Sequence, residues 1–476
     1  MFYLLFGTVF LVTLAVGRKD GPRRAVAFGW LGTAFLLPFW LQSGVGSMTL
    51  DLRTAAVAGV LVAVAAAPTA LGLRLCLADA LIALVVLAQV AAQHQAGGLR
   101  PLTVPEIARK WVGPYLMGRL LLGSPGDIPA LLPVLARLMV GLSAYAAGEC
   151  FLKVNFLNVA LGKTYALLEQ GEGYRWGLKR AHATFDHPIF FGMGLVLLLP
   201  WALEGARLAR AGDGPRWWRW LPAAIAAALF ATVSRGPQLA GMACAGIYLF
   251  YRVPRVRLPI VLAVVLGGAT VVTFKDEVIE LLAVVAGEKA HDTAPRIIMI
   301  EGEEVEYTGT NHRVLLFRVY DDAIRRVGMF GYGTELKGIE LEESIAQRFA
   351  SIDCHYLLFL LQAGYVGIGS FLILTLATLL KLGRLAFRRE LPHAALGAGL
   401  FGALLAVAVL LVSVWFSPDF AGVWLFSAGV AASLLSFPTQ PTEQPVAPPR
   451  VVPATAAGAA DCPRHAPVSA PLRPLA

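Results

Sequence analysis

The chain has 476 residues, a mean hydropathy of +0.67, 57% hydrophobic and only 15% charged residues. Soluble domains carry about 25% charged residues, so composition excludes an ordinary soluble protein. The net charge of +9 would suit nucleic acid, but the Lys and Arg residues sit in short loops between apolar runs. That distribution orients membrane proteins, and no nucleic-acid partner is expected.

A helix needs roughly 20 apolar residues to cross a bilayer, because lipid cannot satisfy bare backbone groups. Runs of that order are predicted at 2–16, 25–42, 54–71, 76–92, 130–147, 151–168, 188–205, 220–233, 238–251, 258–274, 354–380, 391–413 and 420–437. The weakest is 151–168, interrupted by Lys153, Asn155, Asn158 and Lys163. The expected fold is all-α, a polytopic membrane helical bundle of about 12–13 spans. The run at 2–16 lacks the basic start of a signal peptide, and Arg18, Lys19, Arg23 and Arg24 follow it. It reads as a first span.

Alternating the spans puts the basic loops Arg18–Arg24, Arg207–Arg219, Arg252–Arg257 and Lys381–Arg389 on one side, the cytoplasm by the positive-inside rule. The other side, the periplasm of a bacterial inner membrane, then receives Arg100–Gly126, Tyr174–Asp186, Ser234–Gly236 and the segment Lys275–Ile352. Connections beyond roughly 12–15 residues are uncommon and usually functional, so 275–352 is expected to be a working periplasmic loop within a transmembrane domain of residues 1–437. The Pro- and Ala-rich stretch 438–476 reads as a disordered cytoplasmic tail. The cysteines Cys76, Cys150, Cys244, Cys354 and Cys462 show no metal-ligand spacing. There is no nucleotide-binding glycine loop and no Asp-x-Asp site, so neither a metal nor a cofactor is expected.

Three places put charge at the expected periplasmic edge. They are Arg180-Ala181-His182-Ala183-Thr184-Phe185-Asp186-His187-Pro188, Ser234-Arg235-Gly236-Pro237 and Asp353-Cys354-His355-Tyr356-Leu357. Each has a plain structural reading. Arg180 would anchor a span, Asp353 and His355 would mark an interface, and His182 and His187 would be loop histidines. The acidic run Glu301–Glu306 would be a solvated face. Arg235 resists that reading, because a charge between two spans is costly and usually faces a cavity or partner. Guanidinium groups grip phosphate oxygens in pairs and stay charged. Two arginines at this depth would suit a lipid-linked diphosphate, with a carboxylate or imidazole taking the proton of an attacking hydroxyl.

These segments resemble the O-antigen ligase and O-antigen polymerase superfamily over roughly residues 170–380. Arg180–Pro188 is similar to the family's arginine-bearing segment, and Thr232-Val233-Ser234-Arg235 to its Ser-Arg break. Asn311 to Gly367, with Arg313, Gly331-Tyr332-Gly333 and Asp353, is similar to its large loop and following span. The resemblance implies transfer of an undecaprenyl-diphosphate-linked glycan to a sugar hydroxyl at the periplasmic face. Arg180 and Arg235 would contact the diphosphate, with Arg313 a weaker match. The acceptor is another lipid-linked glycan in polymerases and the lipid A core in ligases. Ligases carry a His-Asn pair eleven residues before a Gly-x-x-Gly. Here the count back from Gly364-Tyr365-Val366-Gly367 lands on Asp353-Cys354. His355, about 200° further around an ideal helix, is no simple substitute, but it would serve as a second catalytic candidate beside Asp353 if the span starts later. An Asp-Asn version of this pattern is similar to exopolysaccharide polymerase-type members, so Asp353 favours polymerase over ligase. A secondary transporter or flippase is the reading from another class, although no internal duplication is visible.

Overall fold

The computed structural model describes residues 1–46, 48–66, 74–163, 173–274, 296–300, 303–307, 312–342, 345–346, 349 and 351–437. The expected tail and the loop stretch 275–295 lie outside the described residues.

The first helices are α1 (Phe2–Asp20), α2 (Pro22–Ala25), a π-helical turn (Val26–Trp30) and α3 (Leu31–Leu36). A hairpin of β1 (Gln42–Val45) and β2 (Met48–Asp51) leads to α4 (Leu52–Ala65), α5 (Leu77–Gln95), α6 (Thr103–Leu121) and α7 (Asp127–Leu152). Asp51 starts α4 by accepting the Thr54 N–H at 2.8 Å, the usual role of a short acceptor at a helix N-cap. A short α8 (Phe156–Ala160) and the hairpin β3 (Tyr174–Arg175)–β4 (Leu178–Lys179) precede α9 (Pro188–Ala211), α10 (Leu221–Ala231), α11 (Arg235–Arg252) and α12 (Arg257–Thr273). The long loop contributes β5 (Arg296–Ile300), β6 (Glu303–Tyr307), α13 (His312–Val319) and α14 (Asp321–Arg326). Last come α15 (His355–Phe387), α16 (Ala394–Leu410) and α17 (Pro418–Leu434).

Among the described residues, α1, α5, α7, α9 and α15 are long and apolar enough to cross a membrane, and α4, α16 and α17 are shorter apolar helices. Exposure agrees with a lipid surround. Val264, Val265, Leu266 and Val272 of α12 are 60–80% exposed, a surface that no soluble monomer tolerates over a whole helix. By contrast α16 is buried along nearly its entire length. The protein is an all-α membrane bundle, as composition predicts.

One expectation is corrected. Residues 103–121 were expected in a loop and 151–168 as a span. Instead, 103–121 form a helix packed on α17, while α7 stops at Leu152 and Lys153 adopts φ 60°. Hydropathy hides α6 because it carries Glu106, Arg109, Lys110, Arg119 and Pro114. Those charges are paired, Arg109 with Glu106 and Asp51 and Arg119 with Asp79. The α6–α17 contact depends on Gly118 and Gly429, where a Cβ would strike the backbone of the facing helix. One helix gained and one lost leave every later helix in its expected direction.

The two ends of the bundle differ. At one end Arg23 pairs with Asp127 at 3.0 Å, and Arg252, Arg257 and Arg389 crowd together. At the other, the loop end, Gln93 of α5 bonds Thr334, and the starts of α9, α11, α15 and α17 gather with the ends of α10 and α16. The loop elements have their own apolar core of Ile298, Ile300, Leu315, Leu316, Tyr320 and Phe349, shared with Leu357 and Leu361 of α15.

Candidate active site

The segment 180–187 runs across the loop end and is pinned from three sides. The Ala181 N–H donates to the Ala231 carbonyl at the end of α10 (2.9 Å). The Thr184 hydroxyl donates to the Phe35 carbonyl at the end of α3 (2.8 Å), and the Asp186 N–H donates to Asp419 Oδ2 in α17 (2.9 Å). Asp419 is fully buried and is steadied by the Phe420 N–H and the Ser417 hydroxyl. Beside it, the buried Arg53 donates to the carbonyls of Ala34, Pro418 and Asp419.

Beneath the segment lies Glu149, also fully buried. Its carboxylate accepts the N–H groups of His182 (3.3 Å) and Ala183 (2.9 Å) and the Asn155 amide (3.0 Å). Asn155 in turn donates to the Ala183 carbonyl at 2.8 Å. Ala183 sits at φ 52°, a left-handed conformation unfavourable to a residue with a Cβ. Glu149 and Asn155 hold it there from both sides. The His182 Nδ1 lies 2.7 Å from the Phe185 carbonyl, which can only accept, so Nδ1 carries the proton.

This scaffold presents Arg180, which is buried and donates from Nη2 to the Ser234 hydroxyl at 3.0 Å. Ser234 is the N-cap of α11, and Arg235 is that helix's first residue. The structure therefore brings Arg180 to the residue next to Arg235. Val233, immediately before them, has φ 46°. For a β-branched residue this is a strained geometry, of the kind that clusters at functional sites. α9 also begins here, with His187 as its N-cap accepting the Ile189 N–H at 3.2 Å. The starts of α9 and α11 thus lie together, with Gly192 packed on Pro237, and helix N-termini and guanidinium groups both favour an anion. Burial, and then the charges of Arg180, His182 and Arg175, push the His187 imidazole down to about 3, so it is neutral near pH 7.

The remaining sequence-expected residues lie around the turn 411–417. Arg313 is exposed and its Nε donates to the Ser413 carbonyl (3.1 Å). Asp353 is half-buried and accepts the Ser351 hydroxyl at 2.8 Å. Near it His312 stacks on Phe349 (4.9 Å) and bonds Tyr307 (3.1 Å). Burial and the Arg313 charge lower the His312 imidazole against the opposing pull of Asp353. The His355 ring is buried among Phe416 (4.5 Å), Phe371 (5.1 Å) and Phe359 (5.4 Å), and neither ring nitrogen has a hydrogen-bond partner among the described residues. Its backbone N–H donates to Leu411 and Val414. The same turn meets the arginine side through Trp415 on Phe190 (5.7 Å).

The two glycine motifs of the loop region also meet. α15 breaks at Gly364 (φ 64°, ψ −166°). The carbonyls of Leu361 and Gln362 accept the N–H groups of Tyr332 (2.8 Å) and Gly333 (3.1 Å), while the Tyr365 and Val366 N–H groups donate to Gly328 and Met329. Gly331 and Gly364 have positive φ, and a Cβ on either would hit the other strand's backbone. The loop is thus clasped into the broken helix.

Sequence reasoning missed Glu149, Asn155, Arg53 and Asp419. Glu149 carried a usable signal, an acid within apolar surroundings. Among the described residues no three His, Cys, Asp or Glu side chains gather as metal ligands.

No curated protein matches the chain. Residues 221–372 match the family model described as O-antigen ligase. The matched span holds Arg235, Arg313, Asp353 and His355, with Arg180 packed against it from outside. This region is therefore similar to the O-antigen ligase family.

Proposed function

We propose that this protein polymerises a polysaccharide, O-antigen or exopolysaccharide, at the periplasmic face of the bacterial inner membrane. The donor is a glycan on undecaprenyl diphosphate and the acceptor is a sugar hydroxyl of a second lipid-linked glycan. The observation that carries this reading is the Arg180–Ser234 hydrogen bond, which sets a buried guanidinium beside Arg235 at the N-termini of α9 and α11.

In this reading the arginines and helix dipoles hold the diphosphate and stabilise the charge it gains on leaving. The acceptor oxygen attacks the anomeric carbon, the bond from that carbon to the diphosphate oxygen breaks, and the hydroxyl proton passes to Asp353. Arg313 would steady the sugars from the loop side. His355, enclosed by aromatic rings, would shape the wall near Asp353. The basic opposite end supports a cytoplasmic placement for that end and hence a periplasmic one for the site.

A ligase using the lipid A core is the second reading, favoured by the description of the matched family model. The test is to incubate the purified chain with lipid-linked glycan, with and without lipid A core, and to analyse the products. The expected outcome is a ladder of longer lipid-linked glycans, with Asp353→Asn lowering the rate about a hundredfold. Glycan on the core and no ladder would replace polymerase by ligase. An undiminished rate in Asp353→Asn would remove that residue from the proton transfer.

A further inference from the structure

We propose that Arg252, Arg257 and Arg389, at the basic end of the bundle, form a binding site for the phosphodiester head group of an anionic phospholipid. The cluster lies at the opposite end from Arg180 and Arg235, and the proposal does not depend on what that pair binds.

The sequence places one arginine on each of three elements that finish at the same level. Arg252 closes α11, Arg257 opens α12, and Arg389 lies two residues beyond α15. Folding turns two of them back onto the end of α11. Arg257 Nε donates to the Phe250 carbonyl (3.0 Å), and its guanidinium sits over the Phe250 ring at 5.5 Å. Arg389 Nη2 donates to the Tyr251 carbonyl. Arg252 belongs to the same helix end, and the charges of Arg257 and Arg252 bear directly on Arg389.

Two plain roles account for part of this. Basic residues orient spans, and cations suit the last carbonyls of a helix. Neither role calls for three guanidinium groups at one helix end with no acid among them, because like charges brought together repel. Among the described residues, Arg23 and Arg24 at this end have carboxylate partners, Asp127 and Asp20, whereas none of the three pairs with an Asp or Glu. Glu204, whose charge reaches Tyr248 as that of Arg252 does, is gripped by Arg207 through both oxygens (2.9 and 2.7 Å). A guanidinium carries five N–H donors, and the two carbonyls take one each from Arg257 and Arg389. Arg252 Nη1 is buried with no hydrogen-bond partner among the described residues, a costly state for a charged donor. The complement of such a cluster is an anion with several acceptor oxygens, and phosphate oxygens fit forked donors.

The surroundings select a lipid over a soluble phosphate. Leu258, next to Arg257, and Leu380 and Phe387, near the end of α15, are exposed. The Phe387 ring meets Tyr251 edge-on (4.7 Å), and the Tyr251 carbonyl is the one that Arg389 holds. Exposed apolar side chains adjoining a cationic cluster at a membrane edge match acyl chains joined to an anionic head, and basic pockets between spans bind such lipids.

The experiment titrates the full chain, by native mass spectrometry, with three probes: phosphatidylglycerol, the zwitterionic phosphatidylethanolamine, and glycerophosphoglycerol, which keeps the first head group without acyl chains. Phosphatidylglycerol is expected to bind at least about tenfold more tightly than either of the others. Arg252→Gln and Arg389→Gln are each expected to weaken it about fivefold and to leave phosphatidylethanolamine unchanged, which also reports that the variants are folded. Arg255, Arg384 and Arg388 remain in both variants to hold the orientation. Lys381→Gln removes a charge at the same end outside the cluster and is expected to change nothing. Unchanged phosphatidylglycerol binding in both arginine variants, or an equal loss in Lys381→Gln, overturns the proposal in favour of diffuse surface charge. Glycerophosphoglycerol binding as tightly as the lipid overturns it in favour of a soluble phosphate.

Discussion

The two arginine-bearing regions at the loop end are built differently. Arg180 and Arg235 stand on a buried polar framework of Glu149, Asn155, Ser234 and Asp419, with the backbone held in unfavourable conformations at Ala183 and Val233. Arg313 is exposed, borne on the loop, and tied to the bundle by a hydrogen bond to a turn carbonyl. The first arrangement resists movement and suits a group that must be met in fixed geometry. The second holds its arginine by one exposed hydrogen bond, a contact that fixes its geometry less firmly. Rigidity here comes from buried hydrogen bonds, since a charge-bearing site cannot be packed tight by apolar contacts alone.

The strongest way to break the comparison is Arg235→Lys. If fixed geometry matters, the conserved charge will not rescue the forked contact, and transfer measured with lipid-linked glycan falls about 10²–10³-fold, close to Arg235→Ala. Near-normal transfer would show that charge alone suffices. Next, Glu149→Ala strips the acceptor from the His182 and Ala183 N–H groups. Each orphaned donor costs about 1–3 kcal/mol, so thermal unfolding in detergent should come clearly earlier and transfer should fall with it. Arg313→Ala should lower transfer only a few-fold, in keeping with the roughly 0.5–1.5 kcal/mol of one ordinary hydrogen bond; a loss as large as that of Arg235→Ala would erase the distinction between the regions.

The smallest expected effect concerns pH. His187 is held neutral down to about 3, so His187→Gln should leave the transfer rate's pH profile flat between about pH 5 and 8 where a free imidazole would titrate. The sign for stability follows. The folded protein binds this proton less readily than the unfolded chain. The contribution of His187 is therefore full above the ordinary histidine value of about 6.5 and is lost progressively as pH falls below it toward 3.

Much of this architecture is legible in sequence because lipid imposes one rule, long apolar helices with charge at their ends. That rule fails where charges find partners inside the bundle. α6 escaped notice because Arg109 and Arg119 look like loop residues until Asp51, Glu106 and Asp79 are placed beside them. The arginine pair was visible as isolated charges at the ends of spans. Its support was not, because Glu149, Asn155 and Asp419 come from α7, the turn after it and α17, brought together only by folding. Nor does hydropathy separate α12 from α16, one facing outward and the other enclosed, since lipid and protein interior accept the same residues.

The break in α15 makes the loop part of the helix. The part of α15 beyond Gly364 is long and apolar, but its first N–H groups, at Tyr365 and Val366, are met by Gly328 and Met329. The part from His355 to Ala363 ends in carbonyls at Leu361 and Gln362 that accept the N–H groups of Tyr332 and Gly333. The loop and both halves of α15 therefore share one hydrogen-bonded junction, so the placement of Asp353, eleven residues before Gly364, depends on the loop segment 328–333 being seated in the break.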